Sequence, residues 1–227
     1  MCGIAGHINL QDAPGREQAQ IYEKMQRSLS RRGPDQQGMY YGDGAVLVHA
    51  RLCVVDIENG RQPMRLPWGD EEYVLVYNGE LYNTEEVWKK LADLGHTFIG
   101  HSDTEVLLHA YAQWKDGCVG ELNGIFAFAV WETRARRLFA ARDRIGVKPF
   151  FYAVRGDDFL FASELKTLLC HPKIRPEIDA GGLAEILFIG PGRTPGCGVF
   201  RDVFELLPGE CGYFSGKGGF IKRIYWR

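Results

Sequence analysis

IFAFAVW, at residues 125–131, is the stretch that most clearly indicates how this chain folds. Further apolar, aromatic-rich runs follow at 137–141, 149–154 and 158–162, and turn residues separate each run from the next. Short runs of this composition between turns are typical of antiparallel strands. The pattern therefore predicts several successive antiparallel strands in the second half of the chain.

The first half adds three more predicted strands. Residues 2–9 (CGIAGHIN) are apolar and small, which favours a buried strand at the very start of the protein. Residues 45–55 alternate, which predicts that His49 and Arg51 point to the same face of a strand. Residues 73–77 (YVLVY) form another strong strand pattern that runs into Asn78 and Gly79.

Predicted helices occur in two clusters along the chain. In the first cluster, Ile21, Met25 and Leu29 recur at helical spacing, a helix opens near 83–86, and a capping box from Ser102 to Glu105 starts another. Shorter helices are expected at 165–169 and 180–187, and short strands at 203–206, 211–214 and 220–226. This order favours an α+β fold, a four-layer αββα sandwich with two antiparallel sheets between helical layers.

Bulk composition limits the classes of partner. The 227-residue chain is 45% hydrophobic and carries 27 basic and 29 acidic residues that are well mixed, so neither nucleic acid nor a membrane surface is an expected partner. Its six cysteines lack the spacing of a disulfide framework, and no targeting segment or continuous apolar run of roughly 18 residues is visible. We expect a globular cytoplasmic protein that acts on a small neutral or zwitterionic substrate.

Cys2 has two interpretations. Free cysteine is commonly a small buried hydrophobe, and composition alone favours that interpretation. Its position suggests another role, because removal of Met1 would leave Cys2 with a free α-amino group whose reference pKa is about 7.7 to 8.0. Nucleophile and general base would then share one residue.

Asn78 and Gly79 also have two interpretations. Between two strand-like runs, Asn-Gly most often forms a type I′ hairpin turn. An asparagine amide and an adjacent glycine N–H at the end of a rigid strand can instead donate to a developing tetrahedral oxygen. The two interpretations are compatible with each other.

Arg51 and Asp103 are individually explained by structure, Arg51 as a charge on an edge strand and Asp103 as a favourable residue in the first turn of a helix. Together they match the needs of an amino-acid substrate. A guanidinium pairs with an α-carboxylate and a carboxylate pairs with an α-ammonium, and these bonds would position the substrate side chain.

Metal and nucleotide sites have little support in the sequence. The histidines at 49, 96, 101 and 109 show neither H-E-x-x-H nor a repeated four-residue spacing. The glycine-rich stretches at 190–198 and 215–219 match neither common phosphate-binding motif and are expected to be turns. We therefore expect no metal and no nucleotide in this chain.

The sequence resembles the class II glutamine amidotransferases in a series of motifs that also follow the order of that family. Motifs further along resemble the asparagine synthetase branch, and the resemblance covers essentially the whole chain. The class motifs are MCGIAG at 1–6, RGPD at 32–35, HARL at 49–52, NGELYN at 78–83 and SDTE at 102–105, and the branch motifs are LNGIFAFA at 122–129, RDRIGVKPF at 142–150 and ASELK at 162–166.

The resemblance implies an Ntn-hydrolase sandwich and hydrolysis of the glutamine side-chain amide through a thioester on Cys2. It also implies an oxyanion hole formed by Asn78 and Gly79. Glutamine would be held by those two residues together with Arg51, Glu80, Asp103 and the main chain near Val54 and Val55.

The resemblance further implies that residues 1–227 are one glutaminase domain that supplies ammonia to an ATP-dependent amidation. No cofactor is expected for this domain, while ATP and Mg belong to a C-terminal synthetase domain that is absent from this sequence. Expected partners are glutamine, that synthetase domain and, as an open alternative, a second copy of the chain. Rival interpretations are a non-catalytic module of the same fold and another N-terminal-nucleophile amidase.

Overall fold

The structure is a computed structural model that describes residues 1–11, 18–54, 56–190, 192–216 and 218–227. Within these ranges the chain forms two six-stranded antiparallel sheets, here called sheet A (β10-β8-β9-β1-β3-β2) and sheet B (β12-β11-β7-β6-β5-β4). The strands are β1 (Gly3–Asn9), β2 (Gln36–Gly42), β3 (Ala45–Arg51), β4 (Met64–Trp68), β5 (Glu71–Leu81), β6 (Gly124–Glu132), β7 (Arg137–Arg142), β8 (Phe151–Arg155), β9 (Asp158–Ala162), β10 (Phe204–Glu205), β11 (Glu210–Phe214) and β12 (Phe220–Ile224).

Helices cover the outer faces of the two sheets. The α-helices of the described ranges are α1 (Ala19–Ser28), α2 (Thr84–Asp93), α3 (Asp103–Trp114), α4 (Cys118–Glu121), α5 (Leu165–Leu168) and α6 (Ala180–Ala184). A π-helical turn over Glu185–Ile189 continues α6, so the helix predicted at 180–187 changes its winding partway along. A 3-10 turn over Lys115–Gly117 joins α3 to α4.

Three apolar clusters hold the layers together, and they confirm the predicted αββα sandwich. The central cluster lies between the sheets and includes Ile4 and Leu47 from sheet A and Val76 from sheet B. A second cluster packs α2, α3 and α4 on the outer face of sheet B. The third packs α1 and α5 on the outer face of sheet A and contains Val46 and Val48.

The alternation predicted for β3 is present, but the strand is shorter than predicted. Leu47 faces the second sheet while Val46 and Val48 face α1, as a period of two requires. The strand ends at Arg51 rather than continuing to residue 55, because the paired strand β2 begins opposite it at Gln36. The predicted residue Val55 lies outside the described part of the chain.

The hairpin interpretation of Asn78 and Gly79 is wrong. Strand β5 continues without a turn to Leu81, with Asn78 opposite Ala127 and Gly79 opposite Phe126 in β6. Long-range pairing with β6 therefore overrides the local turn preference of Asn-Gly. As a result, both residues lie on an extended part of β5 that pairs with β6 on one side and extends past the end of β4 on the other.

The two predicted helix starts are present, with changes in the caps. Ser102 accepts a hydrogen bond from the Glu105 N–H at 3.2 Å, as expected of an N-cap, but the Glu105 carboxylate accepts from the N–H groups of Ile99 and Gly100. Asn83 precedes α2 without capping it, since its side chain bonds the backbone of Glu121 and Asn123. Each side chain thus ties its helix start to the preceding or neighbouring loop.

Candidate active site

Cys2 lies directly before β1, a central strand of sheet A between β3 and β9. The backbone beside it is fixed, because Ile4 donates its N–H to the Ser163 hydroxyl at 3.0 Å and accepts from the Ser163 N–H at 2.8 Å. Arg32 donates to the Cys2 carbonyl oxygen at 3.3 Å and is itself held by Glu164 at 3.1 Å. The thiol therefore has a defined position at the end of a buried strand.

The Cys2 side chain enters a cavity of about 170 Å³ between the ends of the two sheets. This space is called the Cys2 cavity below. It brings together the predicted site residues that the structure describes, Cys2, Arg51, Val54, Asn78, Gly79, Glu80 and Asp103. The other lining residues are Met1, Leu52, Gln62, Tyr77, Thr104 and Lys148.

The Cys2 thiol needs help to ionise. Burial raises its pKa, and the Leu52 carbonyl at 3.7 Å, the chain's amino terminus and the Arg51 charge only partly counteract that effect. A thiol with a raised pKa is almost fully protonated near neutral pH, so nucleophilic attack requires a base that accepts its proton.

Asn78 presents an unused donor to this cavity. The residue is 1% exposed, and its side-chain nitrogen has no hydrogen-bond partner among the residues that the structure describes. Buried polar groups are normally paired, so a group left without a partner beside a cavity is a candidate for binding a ligand or a reacting atom.

Strand geometry directs the Gly79 N–H to the same side as that of Tyr77. The Tyr77 N–H points away from β6, because it donates to the Gln62 side-chain oxygen at 2.6 Å. Backbone groups two residues apart on a strand point the same way, and β4 pairs with β5 only from Glu71 to Leu75. The Gly79 N–H therefore faces the region beyond the end of β4, where the Cys2 cavity lies.

Packing also requires glycine at position 79. A Cβ atom there would lie 2.5 Å from the Ile125 carbonyl oxygen and 2.8 Å from the Phe126 Cβ. A side chain would therefore force β5 away from β6 at the point where both candidate donors are fixed.

Arg51 lies at the end of β3 and is 5% exposed. Its guanidinium donates to the carbonyl oxygens of Asp56 at 2.7 Å and Ile57 at 2.9 Å, and to the Gln36 side chain at 2.8 Å. The edge-strand interpretation is wrong, because β3 lies between β1 and β2. Arg51 instead ties the 56–57 loop to the wall of the cavity.

Asp103, in the first turn of α3, lines the same cavity as Arg51. Its carboxylate accepts from the Tyr77 hydroxyl at 2.8 Å and from the Leu81 N–H at 3.3 Å. Burial raises the pKa of Asp103, and these hydrogen bonds act in the opposite direction. The carboxylate is thus oriented by β5, while Glu80 on the same strand lies exposed at the cavity rim.

Tyr77 is a residue that sequence reasoning missed, although it organises much of the site. Its N–H is bound by Gln62 and its carbonyl oxygen accepts from His49 Nε2 at 3.1 Å. Burial lowers the pKa of His49 to about 4, so the imidazole is neutral and donates from one nitrogen. Gln62 in turn donates to Thr104 at 3.3 Å. No local pattern indicated these contacts, which join residues far apart in the sequence.

Lys148 is the second residue that was missed. It is 7% exposed and lines the Cys2 cavity, and its backbone is fixed by the buried Arg142–Asp143 pair. The motif RDRIGVKPF marked this segment in the sequence, but without any role for the lysine.

Two further features concern the described residues as a whole. Among them, no group of three or more histidine, cysteine, aspartate or glutamate side chains could hold a metal ion. In the same ranges, no helix has both the length and the apolar composition needed to cross a bilayer.

An αββα sandwich with a cysteine at the start of a central strand, facing a cavity between the sheets, defines an Ntn-hydrolase fold. Residues 1–226 match the glutamine amidotransferase domain family, and the chain belongs to that family.

Relatives in that family are longer proteins. The chain is 49% identical over 226 residues to glutamine-hydrolyzing asparagine synthetase 3 of Bacillus subtilis, covering 100% of this chain and 36% of the relative. It is 34% identical to putative glutamine-hydrolyzing asparagine synthetase 2 of Methanocaldococcus jannaschii, covering 100% of this chain and 46% of the relative. The chain thus spans less than half the length of these two relatives.

A solved structure supports the fold. Glutamine phosphoribosylpyrophosphate amidotransferase from B. subtilis aligns with a TM-score of 0.69 at 21% identity, covering 99% of this chain and 49% of that one. The chain is therefore a glutamine amidotransferase domain with the Ntn-hydrolase sandwich.

Proposed function

We propose that this domain hydrolyses the side-chain amide of glutamine to glutamate and ammonia through a thioester on Cys2. The observation that carries the proposal is that one cavity is lined by Cys2, by Asn78, whose amide nitrogen has no partner among the described residues, and by the oppositely charged Arg51 and Asp103. A thiol, an oxyanion donor and two groups that recognise an α-amino acid are the parts that this reaction needs.

In the first half of the reaction, the base is the α-amino group of Cys2 after Met1 has been removed. The amine takes the thiol proton, directly or through one water, and the sulfur attacks the δ-carbonyl carbon of glutamine. As the tetrahedral intermediate collapses, the C–N bond breaks and the ammonium returns the proton to the departing nitrogen. Ammonia leaves and a γ-glutamyl thioester remains on Cys2.

In the second half, a water molecule gives a proton to the same amine and attacks the thioester carbon. The C–S bond then breaks, the thiol is re-formed with the proton held by the amine, and glutamate is released. In both halves Asn78 Nδ2 and the Gly79 N–H stabilise the oxyanion, and removal of one such donor typically costs a hundredfold to a thousandfold in kcat.

Recognition of the substrate falls to the charged walls of the Cys2 cavity. Arg51 binds the α-carboxylate, while Asp103 and Glu80 bind the α-ammonium group. Val54 also lines the cavity, and its main chain would contact the substrate. Val55, the other main-chain contact that the family resemblance implies, lies outside the described residues. The hydrogen bonds from Tyr77 and Leu81 support this role by aiming the Asp103 carboxylate.

The ammonia would be used by another domain of a longer protein. Because the relatives are named asparagine synthetases and extend well beyond the matched region, we infer that residues 1–227 form one glutaminase domain linked to a synthetase domain. That domain would use ATP and Mg to activate a carboxylate, in an asparagine-synthetase-like amidation.

The six cysteines are all free thiols, which supports a cytoplasmic location.

A glutaminase assay combined with intact-mass analysis of the N-terminus tests the proposal. The form that begins at Cys2 should release glutamate and ammonia in equal amounts, and glutamine should bind measurably by calorimetry. Binding without turnover in that form would favour the non-catalytic module. Turnover of amides that lack the α-amino and α-carboxylate groups, at rates similar to glutamine, would favour another N-terminal-nucleophile amidase.

A further inference from the structure

A second cavity, of about 490 Å³, lies beneath the edge strand β4, between that strand, the 95–99 loop and α3. It is called the Trp68 cavity below. Its volume falls within the range of roughly 300 to 1,000 Å³ that is usual for small-molecule sites. The glutaminase reaction proposed above uses none of its lining residues.

His109 supplies a hydrogen-bond acceptor to this cavity. His96 Nε2 lies 3.0 Å from the Gln113 side-chain oxygen and must donate to it, while His96 Nδ1 lies 2.8 Å from His109 Nδ1. A neutral imidazole donates from one nitrogen only, so His109 Nδ1 donates to His96 and His109 Nε2 keeps its lone pair. Burial and the neighbouring His96 lower the pKa of His109 to about 4, which keeps the ring neutral.

The Nε2 atom of His109 has no hydrogen-bond partner in the described part of the chain, and it is not among the fully buried side-chain atoms without a partner. Since the ring lines the Trp68 cavity, a ligand in that cavity can reach it.

The other walls favour a flat apolar molecule. Trp68 stacks on His96 at a centroid distance of 4.5 Å and an angle of 15°, and it remains 36% exposed. Ile99 is 91% exposed at the same cavity. An aromatic ring placed here would remove both apolar surfaces from water.

Charged groups at the cavity are already paired. The Glu105 oxygens accept from the N–H groups of Ile99 and Gly100 at 2.7 and 2.8 Å. Arg65 forms a two-pronged ion pair with Glu72 at 3.0 Å. An uncharged ligand therefore matches the cavity better than an ion does.

We propose that the Trp68 cavity binds an uncharged planar aromatic molecule that donates an N–H or O–H group to His109 Nε2. The ring lies against Trp68 and covers Ile99. The cavity therefore recognises its ligand through one aromatic surface and one hydrogen bond. The hydrogen bond selects among apolar molecules of similar size.

Occupancy of this cavity is connected to the Cys2 cavity through a short chain of hydrogen bonds. Glu105 fixes Ile99 and Gly100, the next residue His101 donates its N–H to the Asp56 carboxylate at 2.9 Å, and the Asp56 carbonyl accepts from Arg51. A ligand packed on Ile99 stabilises this arrangement and hence the position of Arg51. This part of the proposal rests on glutamine being the substrate.

Binding is tested with three probes on the domain trimmed to begin at Cys2: indole, 3-methylindole and 1-methylindole, followed by calorimetry and by the ring 15N signals of the histidines. Indole and 3-methylindole should bind and shift the His109 signals. 1-Methylindole has the size of 3-methylindole but no donor, and it should bind about tenfold more weakly. Equal affinity of the two methylindoles, or no saturable binding of indole, overturns the proposal.

Variants locate the site. His109→Gln should abolish the preference for 3-methylindole over 1-methylindole, whereas His101→Gln, on a histidine whose side chain is 81% exposed, should leave it unchanged. Loss of the preference in the His101 variant would place the binding elsewhere. If the His109 variant does not fold, the comparison of the three probes on the unmodified domain still decides.

Coupling to the Cys2 cavity is measured separately on the Cys2→Ala domain, which should bind glutamine without hydrolysing it, as the Kd of indole with and without saturating glutamine. Glutamine should tighten indole binding by about fivefold or more, and indole should tighten glutamine binding by the same factor. An unchanged indole Kd in the presence of bound glutamine contradicts the coupling. Absence of any glutamine binding instead counts against the proposed function, and the probe series still stands on its own.

Discussion

At the start of β1, Cys2 enters a cavity in which the Asn78 amide nitrogen has no partner among the described residues. Toward the other end of the same strand, both ring nitrogens of His7 are hydrogen-bonded. His7 contacts the Tyr22 hydroxyl at 2.8 Å and the Asp158 carboxylate at 2.7 Å. Asn78 and His7 are both buried, so burial alone does not distinguish a reactive site from a structural one.

The pKa values of Cys2 and Asp158, at the two ends of β1, shift in opposite directions. At the Cys2 end, burial dominates and raises the pKa of the thiol. At the His7 end, burial by itself would raise the pKa of Asp158. Hydrogen bonds from His7, Lys173 and Asn9 outweigh that effect, so the pKa is lowered. A satisfied network stabilises the fold, while unsatisfied donors beside a cavity are available to a substrate. Variants at the two ends of β1 should therefore separate an effect on stability from an effect on activity.

Replacing the nucleophile should have the largest effect on activity. Cys2→Ala, and also Cys2→Ser, should lower glutamine turnover by about a thousandfold or more, because neither side chain is a competent nucleophile near neutral pH. Thermal unfolding should change little, since within the described residues the thiol makes one long hydrogen bond, to the Leu52 carbonyl. Comparable turnover by either variant would contradict the thioester mechanism.

The oxyanion donor comes next. Asn78→Ala should lower kcat by about a hundredfold to a thousandfold with a smaller change in glutamine affinity, because the donor acts mainly in the transition state. Steady-state kinetics on the Cys2-terminated form provide the measurement. A rise in KM with unchanged kcat would show that Asn78 binds the substrate rather than the transition state.

A smaller effect is expected for the group that would bind the substrate ammonium. Asp103→Asn should weaken glutamine binding by about tenfold to a hundredfold, the usual contribution of a hydrogen bond to a charged group. Ser102 keeps the helix start in place, so unfolding should hardly change. A large loss of stability with unchanged affinity would mean that Asp103 serves the helix dipole instead.

The His7 end should behave in the opposite way. Asp158→Asn should lower the free energy of unfolding by about 3 kcal/mol, because it leaves a buried network incomplete, while glutaminase kinetics of the folded protein stay the same. The folded-state pKa of Asp158 is lowered, so its stabilisation is fully present above the unfolded pKa of about 3.9 and is lost progressively as the pH falls from there through the lower folded-state pKa. Urea unfolding at pH 7 and pH 3 should therefore show a smaller difference between variant and parent at pH 3. An equal difference at both values would exclude this origin.

Local sequence patterns predicted the strands and helices of the layers well, because each of these elements depends on residues that are close together in the chain. The alternation in β3 assigned its two faces, and Ser102 marked the start of α3. Both features depend on side-chain spacing that is visible within a few residues.

The failures share a physical cause, which is contact between distant segments. Asn78 and Gly79 favour a turn locally, but nine consecutive pairs between β5 and β6, from Tyr73 to Leu81, keep the strand extended. Likewise, the contacts of Tyr77 with Gln62 and Asp103 form only when β5, the segment before β4 and α3 are assembled. No short sequence pattern encodes such a meeting.

Met1 determines whether the Cys2 nitrogen is an amide or a free amine. It lines the Cys2 cavity, and while it is attached the Cys2 nitrogen is a planar amide that cannot accept the thiol proton. Removal of Met1 creates the amine, whose reference pKa of about 7.7 to 8.0 suits a base near neutral pH. Cysteine is small enough as a second residue to permit that removal.

The most direct test is therefore to separate the Met1-bearing and Cys2-terminated forms, confirm each by intact mass, and assay both for glutaminase activity under identical conditions. Turnover should be confined to the Cys2-terminated form, and trimming the other form with methionine aminopeptidase should restore it in proportion to the fraction processed. Equal turnover by the form that retains Met1 would contradict the assignment of the Cys2 α-amino group as the catalytic base.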